Sequence, residues 1–375
     1  MGLVTGLAFG LTYAALGLPL SWLSERVDRR KLIAAVLTLW CMFTALSGIA
    51  VSFFQLLLFR MGVAVGEAGA SPPSYAMISD AYPVASRTAA ISVFTSGGQV
   101  GGFLGALIGG WVAQFIGWRA AFVVVGALGL IMLPFLLFGI KDPPKGASDG
   151  LKKERATPFR QAIAGIVKVP TFRQNVAAAS LTAIVTYSIT TWLPSLLVRS
   201  YDVSIGEAGT VLGLMTLIAG VGGSLAGGQL CAWLGQRDLR WWAWLPAICF
   251  VSATPLMVAA VMIENLWVTI FGVGLAYCFV SISFGANYAA LNTTVPPRVR
   301  ATASASALLV ITLLGLGLGP LLTGIASDYF TAQFGQQGLR MAFVVPAVAV
   351  LWGALHFFLM AKTIREDSAR AVAAA

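Results

Sequence analysis

The stretch "FRMGVAVGEAGASPP" (Phe59–Pro73) decides how the chain is read, because an apolar run carries an arginine and a glutamate seven residues apart. In a helix this spacing sets Arg60 and Glu67 roughly 10 Å apart along the axis and within about 20° of one face. In lipid, neither charge is expected without an interior reason.

The rest of the chain places that run in a membrane. Of its 375 residues, 58% are hydrophobic and 10% charged, and the mean hydropathy is +0.86, far from the balance of a soluble domain. The hydrocarbon core takes about 20 apolar residues as a helix, whereas barrel strands would alternate over about ten. The helical pattern holds throughout, so the expected class is an all-α polytopic membrane protein. The net charge of +10 sits in short runs between apolar segments without interleaved aromatics, which points away from nucleic acid. Cys41, Cys231, Cys249 and Cys278 lie in or at the ends of apolar segments without metal-ligand spacing and read as small buried hydrophobes. His356 is the only histidine, which excludes a histidine-based triad or metal cluster. Neither an enzyme nor a cofactor is expected. No G-x-x-x-x-G-K followed by Ser or Thr is present, so ATP drive is not expected either.

Apolar segments predict helices at roughly 1–23, 32–53, 55–79, 88–113, 118–139, 174–198, 207–233, 241–262, 265–291, 301–327 and 341–361, eleven in all. Of the 24 Lys and Arg, 20 fall on alternate loops: 25–31, Arg87, 141–173, Arg237 and Arg240, Arg298 and Arg300, and the tail from Lys362. The positive-inside rule makes those loops cytoplasmic; the opposite set holds Arg119, Arg199 and Arg340, and Arg60 remains in the membrane.

Internal repetition then organises the chain. "SWLSERVDRR" (21–30) aligns with "AWLGQRDLRW" (232–241) at an offset of 211. "SYAMISDAYPVASRTA" (74–89) aligns with "NYAALNTTVPPRVRAT" (287–302) at 213, matching Tyr75 with Tyr288, Pro83 with Pro296 and Arg87 with Arg300. "GFLGALIGG" (102–110) matches the glycine run ending at Gly324 once one residue is allowed, and "WRAAF" (118–122) matches "LRMAF" (339–343). Two copies of one six-helix plan are expected, with 11 transmembrane helices present of 12. In that register the helix 174–198 would have its partner some 35 to 40 residues before Met1. A start lacking the first helix is one reading, and a genuine eleven-helix protein the other. The expected divisions are 1–140 for the first bundle, 141–173 for a basic cytoplasmic linker and 174–375 for the second bundle with its tail.

This plan resembles the major facilitator superfamily. "SERVDRRK" (24–31) is similar to the signature G-x-x-x-D-R-x-G-R-R between that superfamily's second and third helices, with Ser21, Glu25 and Asp28 as departures. The series Gly101, Gly105, Gly109 and Gly110 resembles the exporter motif of its fifth helix, with Ala106 where the motif has proline. Within the superfamily, "VGEAGASPPSYAMISDAYP" and "NYAALNTTVPPRVRATASA" are similar to bacterial members of the Spinster family. The resemblance implies a secondary transporter of lysophospholipids or sphingoid lipids, coupled to protons in some members. It also implies that Arg60 and Glu67 form the coupling pair, usually with an acidic residue on the first helix.

The residues themselves support a role at a midplane cavity. The protonation of Glu67 would follow its water access and its cationic neighbour; the alternative is a static buried ion pair. Gly69, Pro72 and Pro73 are expected to kink the helix, as a hinge or as a tolerated bend. Glu25, Arg26, Arg29 and Arg30 are expected to bond to Asp80 and to the helix starting near Ala301 as a cytoplasmic gate, or to serve topology alone. Tyr187, Thr190, Trp192, Ser281, Ser283 and Asn287 are candidate cavity lining, or else packing. The expected picture is a monomeric inner-membrane transporter working by alternating access, with the linker on anionic lipid and the C-terminus cytoplasmic. An organic-anion/proton symporter and a truncated, non-transporting membrane protein are the alternatives.

Overall fold

The computed structural model describes residues 6–24, 26–82, 84–144, 159–296 and 299–373. Among these, all regular structure is helical: α1 (Ala8–Ser24), α2 (Arg29–Ser47), α3 (Phe53–Ala68), α4 (Ser71–Ala81), α5 (Val84–Phe115), α6 (Trp118–Ile131), α7 (Leu133–Gly139), α8 (Phe159–Ile166), α9 (Pro170–Tyr201), α10 (Ile205–Leu214), α11 (Gly222–Gly235), α12 (Trp241–Met262), α13 (Leu266–Ser281), α14 (Ser283–Thr293), α15 (Arg300–Phe334), α16 (Gly338–Ala342) and α17 (Val344–Ala373). A π-helical segment, Met215–Val221, joins α10 to α11. Among the described residues, nine helical spans are long and apolar enough to cross a membrane, against eleven expected. The 17-residue α1 and the 32-residue α5 are not among the nine. The all-α membrane class read from composition is the class observed.

The chain divides into two compact units, residues 3–153 with 203–213 and residues 154–202 with 214–375. In the first, α2 packs between α3 and α6, and α1 lies against α3. Side chains start these helices: Asp28 accepts from the Lys31 amide at 3.0 Å to cap α2, and Ser52 accepts from the Gln55 amide at 3.2 Å to cap α3. With no hydrophobic effect between helices in lipid, close approach of backbones supplies the attraction. A Cβ at Gly66 of α3 would stand 2.6 Å from the Val36 carbonyl oxygen, and one at Gly126 of α6 would stand 2.7 Å from that of Cys41. Glycine on both neighbours thus brings them close to α2.

The run quoted at the outset bends within one span, Phe53–Ile78, at Gly69 and Ala70. α3 ends at Ala68 with Gly69 as its C-cap, and α4 restarts at Ser71. Pro72 and Pro73 occupy the first turn of α4, where a missing N–H removes no helical bond.

In the second unit α9 is the central helix, packed on α15 and α17, while α12 contacts α13 and α17. Val185, Ile189 and Leu193 of α9 are fully buried. The Trp192 indole donates to the Pro320 carbonyl at 2.9 Å, and Phe250 meets Phe357 edge-on with centroids 5.1 Å apart. Gly315 of α15 lies against Ala183, and a Cβ at Gly319 would stand 2.7 Å from the Ile184 carbonyl oxygen. In the sequence repeat these glycines correspond to Gly101 and Gly105 of α5, yet a Cβ at either would meet nothing within 4 Å. Of the α5 glycines, Gly110 is the one in close approach, facing the Ile205 carbonyl oxygen and Gly209 of α10.

Candidate functional site

α3 carries both intramembrane charges. Its Ser52 cap fixes the start, Arg60 follows in the middle of the helix and Glu67 in the last turn. The Arg60 guanidinium lies 5.1 Å from the ring centroid of the buried Phe9 on α1, and its Nε is buried without a hydrogen-bond partner. The Glu67 side chain is exposed at the surface of its unit. The two charges interact through space. Among the described residues, neither side chain makes a hydrogen bond or a contact ion pair, so both remain chemically free. Just beyond, buried Gly69 leaves no room for a side chain: its Cβ would lie 2.8 Å from Val36 Cγ1 and 3.1 Å from Leu20 Cδ1.

At the other end of the first unit's helices, one arginine gathers the charges. Arg29 is buried, and its Nη1 bonds to Asp80 Oδ2 at 2.5 Å. Its Nη2 lies 2.7 Å from Asp142 Oδ1, and its Nε donates to the same oxygen at 2.8 Å. Its backbone N–H reaches Asp142 Oδ2 at 2.8 Å, and Nη2 also donates to the Pro143 carbonyl at 2.8 Å. Three elements, the start of α2, the end of α4 and the segment after α7, therefore meet at one guanidinium. The other expected members sit differently. Arg26 stacks over Trp22 with its Cζ 3.6 Å from the ring centroid, and Arg30 donates to the Leu137 carbonyl at 3.1 Å. Glu25 lies outside the described residues. Asp142, which completes the cluster, was not among the residues singled out from the sequence; its signal was an acidic residue directly before two prolines at the end of an apolar run.

The second unit repeats this corner with the signs exchanged. Arg237 stacks over Trp233 at 4.3 Å, as Arg26 does over Trp22. Here an aspartate is the hub: Asp238 lies 2.9 Å from Arg240 Nη2 and 2.6 Å from Arg365 Nη2 of α17. Hydrogen bonds from Arg240, with further help from Arg365, hold the Asp238 carboxyl down at about 2. At the opposite end of this unit, Arg340 pairs with Glu264 at 2.7 Å and keeps that carboxyl below its usual range.

The candidate lining residues also belong to the second unit. Thr190 donates to the Thr186 carbonyl at 2.9 Å, Ser281 to that of Tyr277 at 2.8 Å and Ser283 to that of Val280 at 2.8 Å. With the Trp192 bond to Pro320, these groups are satisfied by helix backbone. Tyr187 is half-buried. Asn287 accepts at its carbonyl from Asn175 Nδ2 at 3.1 Å, and the side-chain oxygens of both asparagines are buried without a partner. Asn175 was likewise not singled out from the sequence. Among the described residues no group of three His, Cys, Asp or Glu side chains could hold a metal.

Comparison with known proteins agrees with this architecture. The family described as the Major Facilitator Superfamily matches residues 1–315. An MFS-type efflux pump of Mycolicibacterium smegmatis is 32% identical over 98% of this chain and 85% of its own length. Protein spinster homolog 3 of Danio rerio is 28% identical over 92% of this chain and 74% of its own. The crystal structure of a bacterial homolog of the human lysosomal transporter Spinster, inward-facing and unoccupied, superposes with a TM-score of 0.87. It is 31% identical, covering 98% of this chain and 90% of that one. The chain belongs to the Major Facilitator Superfamily and is a Spinster-like membrane transporter, not an enzyme.

Proposed function

We propose that the chain is a proton-coupled secondary transporter of an amphipathic, lipid-like substrate in a bacterial inner membrane, acting as a monomer by alternating access. The observation that carries the reading is the pair on α3: two opposite charges in a membrane helix, close enough to interact, with neither held in a contact ion pair. A static structural pair would gain most from direct contact and full hydrogen bonding. A carboxylate outside a contact ion pair can instead take up and release a proton as water access changes. The break at Gly69–Ala70, with Pro72 and Pro73 opening α4, supports a hinge beside that carboxylate. The Arg29 cluster supports a cytoplasmic gate built on Asp80 and Asp142. The lipid-like substrate is what the Spinster resemblance implies, and the efflux-pump name of the mycobacterial relative supports the outward direction.

The test is flux of a lysophospholipid into or out of proteoliposomes under an imposed pH gradient, with Glu67→Gln beside the parent. The expected result is gradient-driven flux in the parent and gradient-independent, slow exchange in the variant. Unchanged pH dependence in Glu67→Gln would remove the coupling role. A second reading follows from the unpartnered Nε of Arg60, which would suit a carboxylate clamp in an organic-anion/proton symporter.

A further inference from the structure

Away from the charge pair, the first unit has a cavity of about 220 Å³ between the turn that joins α2 to α3 and the start of α6. Arg119 and Ser52 supply its polar wall, and Phe53, Leu56 and Trp118 its apolar wall. Among the described residues, Arg119 makes one hydrogen bond, a 3.3 Å contact from Nη2 to the Ala50 carbonyl, while its Cζ stands 4.2 Å from the Trp118 ring centroid. A guanidinium has five N–H donors, so most of them have no protein acceptor. α3 and α6 both begin at this cavity, which adds the positive ends of two helix dipoles to the Arg119 charge.

The surroundings narrow the chemistry of an occupant. Among the residues that line it, Val51 is 81% exposed, Phe53 49% and Trp118 43%, so the open side of the cavity is an apolar rim around a cation. Tryptophan and arginine side by side at the end of a membrane helix mark the headgroup level of the bilayer. A free inorganic anion would find the charge here but no use for the rim. A phospholipid would use both, with its phosphate on the guanidinium and its acyl chains along the exposed apolar surface.

We infer that this cavity is a headgroup site for an anionic phospholipid, on the leaflet opposite the basic loops. The site is separate from Arg60 and Glu67 and does not depend on the transport reading. Its occupant would hold the α2–α3 turn against the start of α6, where Gly117 takes a φ of 117° to bring the chain into α6.

Native mass spectrometry of the full chain, titrated in detergent with phosphatidylglycerol, phosphatidylcholine or inorganic phosphate, tests the assignment. Phosphatidylglycerol should bind as a retained adduct, and Arg119→Gln should weaken it about tenfold or more, since a hydrogen bond to a charged group is being removed. Arg119→Lys should keep most of the binding, and Arg199→Gln, at another arginine read as lying on the same side, should leave it unchanged. Val51→Trp fills the mouth while leaving Arg119 in place, and should also weaken the adduct; it serves if Arg119→Gln does not fold. Equal phosphatidylglycerol binding in the parent, Arg119→Gln and Val51→Trp would overturn the site. Phosphate binding as tightly as phosphatidylglycerol would overturn the lipid assignment, and phosphatidylcholine binding as tightly would overturn the preference for an anionic headgroup.

Discussion

Arg29 holds Asp142 at two points, its backbone N–H donating to Oδ2 and its Nε to Oδ1, each at 2.8 Å, while its Nη1 reaches Asp80. The buried guanidinium thus links two carboxylates 62 positions apart in the chain, and its loss would take from both the charge they share. Arg29→Ala should therefore lower stability by an amount near the low end of about 3–5 kcal/mol, because the carboxylates keep some solvent contact. Arg29→Lys retains the charge but not the fork and should fall between the two. Asp142→Asn should cost about 1–3 kcal/mol. Thermal unfolding in detergent orders these variants; an Arg29→Ala protein as stable as the parent would show the cluster to be solvated charge.

The reversed corner around Asp238 gives a prediction in pH. Its carboxyl is held at about 2, below the ordinary 3.8, so the ionised form is favoured by folding. The stabilisation is complete above the unfolded value and is lost as pH falls through the folded one. The difference in apparent melting temperature between the parent and Asp238→Asn should be constant above about pH 5, shrink between about pH 4 and pH 2, and vanish below. A gap undiminished at about pH 3 would mean that Arg240 and Arg365 do not set this carboxyl.

What the sequence discloses follows from which forces are local. Lipid demands unbroken apolar runs with internally bonded backbone, so helices and their class are legible from composition and run length. The repeat is legible too, and the stacks of Arg26 on Trp22 and of Arg237 on Trp233 fall at its matching positions, each between residues four apart in the chain. Asp142 escaped notice because its partner is 113 positions away and no periodicity connects them. Hydropathy continues across Gly69 and Ala70, so the bend there is legible from Gly69, Pro72 and Pro73 and not from the apolar pattern. Ser281 and Ser283 were ambiguous for another reason: a helical serine can face a cavity or donate to its own backbone, and both donate.

The glycines of α15 and α5 look equivalent in sequence and differ in surroundings, which predicts opposite responses to one methyl group. Gly319→Ala puts a Cβ 2.7 Å from the Ile184 carbonyl oxygen, a backbone atom that cannot rotate away. A loss of about 1–3 kcal/mol is expected from that overpacking. Gly105→Ala meets nothing within 4 Å and should be neutral, or stabilising by up to about 1 kcal/mol through helix propensity. Melting temperatures of the two variants in the same detergent decide the matter. A destabilised Gly105→Ala protein would mean that another helix covers this face of α5.

Arg60→Lys separates the two roles open to Arg60. If the guanidinium only supplies charge beside Glu67, lysine keeps that charge, and transport should retain its pH profile with a modest change in rate. If it clamps a substrate carboxylate, lysine loses the paired N–H geometry, a deficit of about 1.5–3 kcal/mol, and KM should rise roughly tenfold or more with kcat little changed. The two outcomes differ in which parameter moves, so KM, kcat and the pH profile are measured together with a lysophospholipid and with a small organic acid as substrates. The coupling role predicts that Glu67→Gln flattens the pH profile whether residue 60 is arginine or lysine. A profile that stays pH-dependent in the Glu67→Gln and Arg60→Lys double variant would place the proton site elsewhere in the bundle.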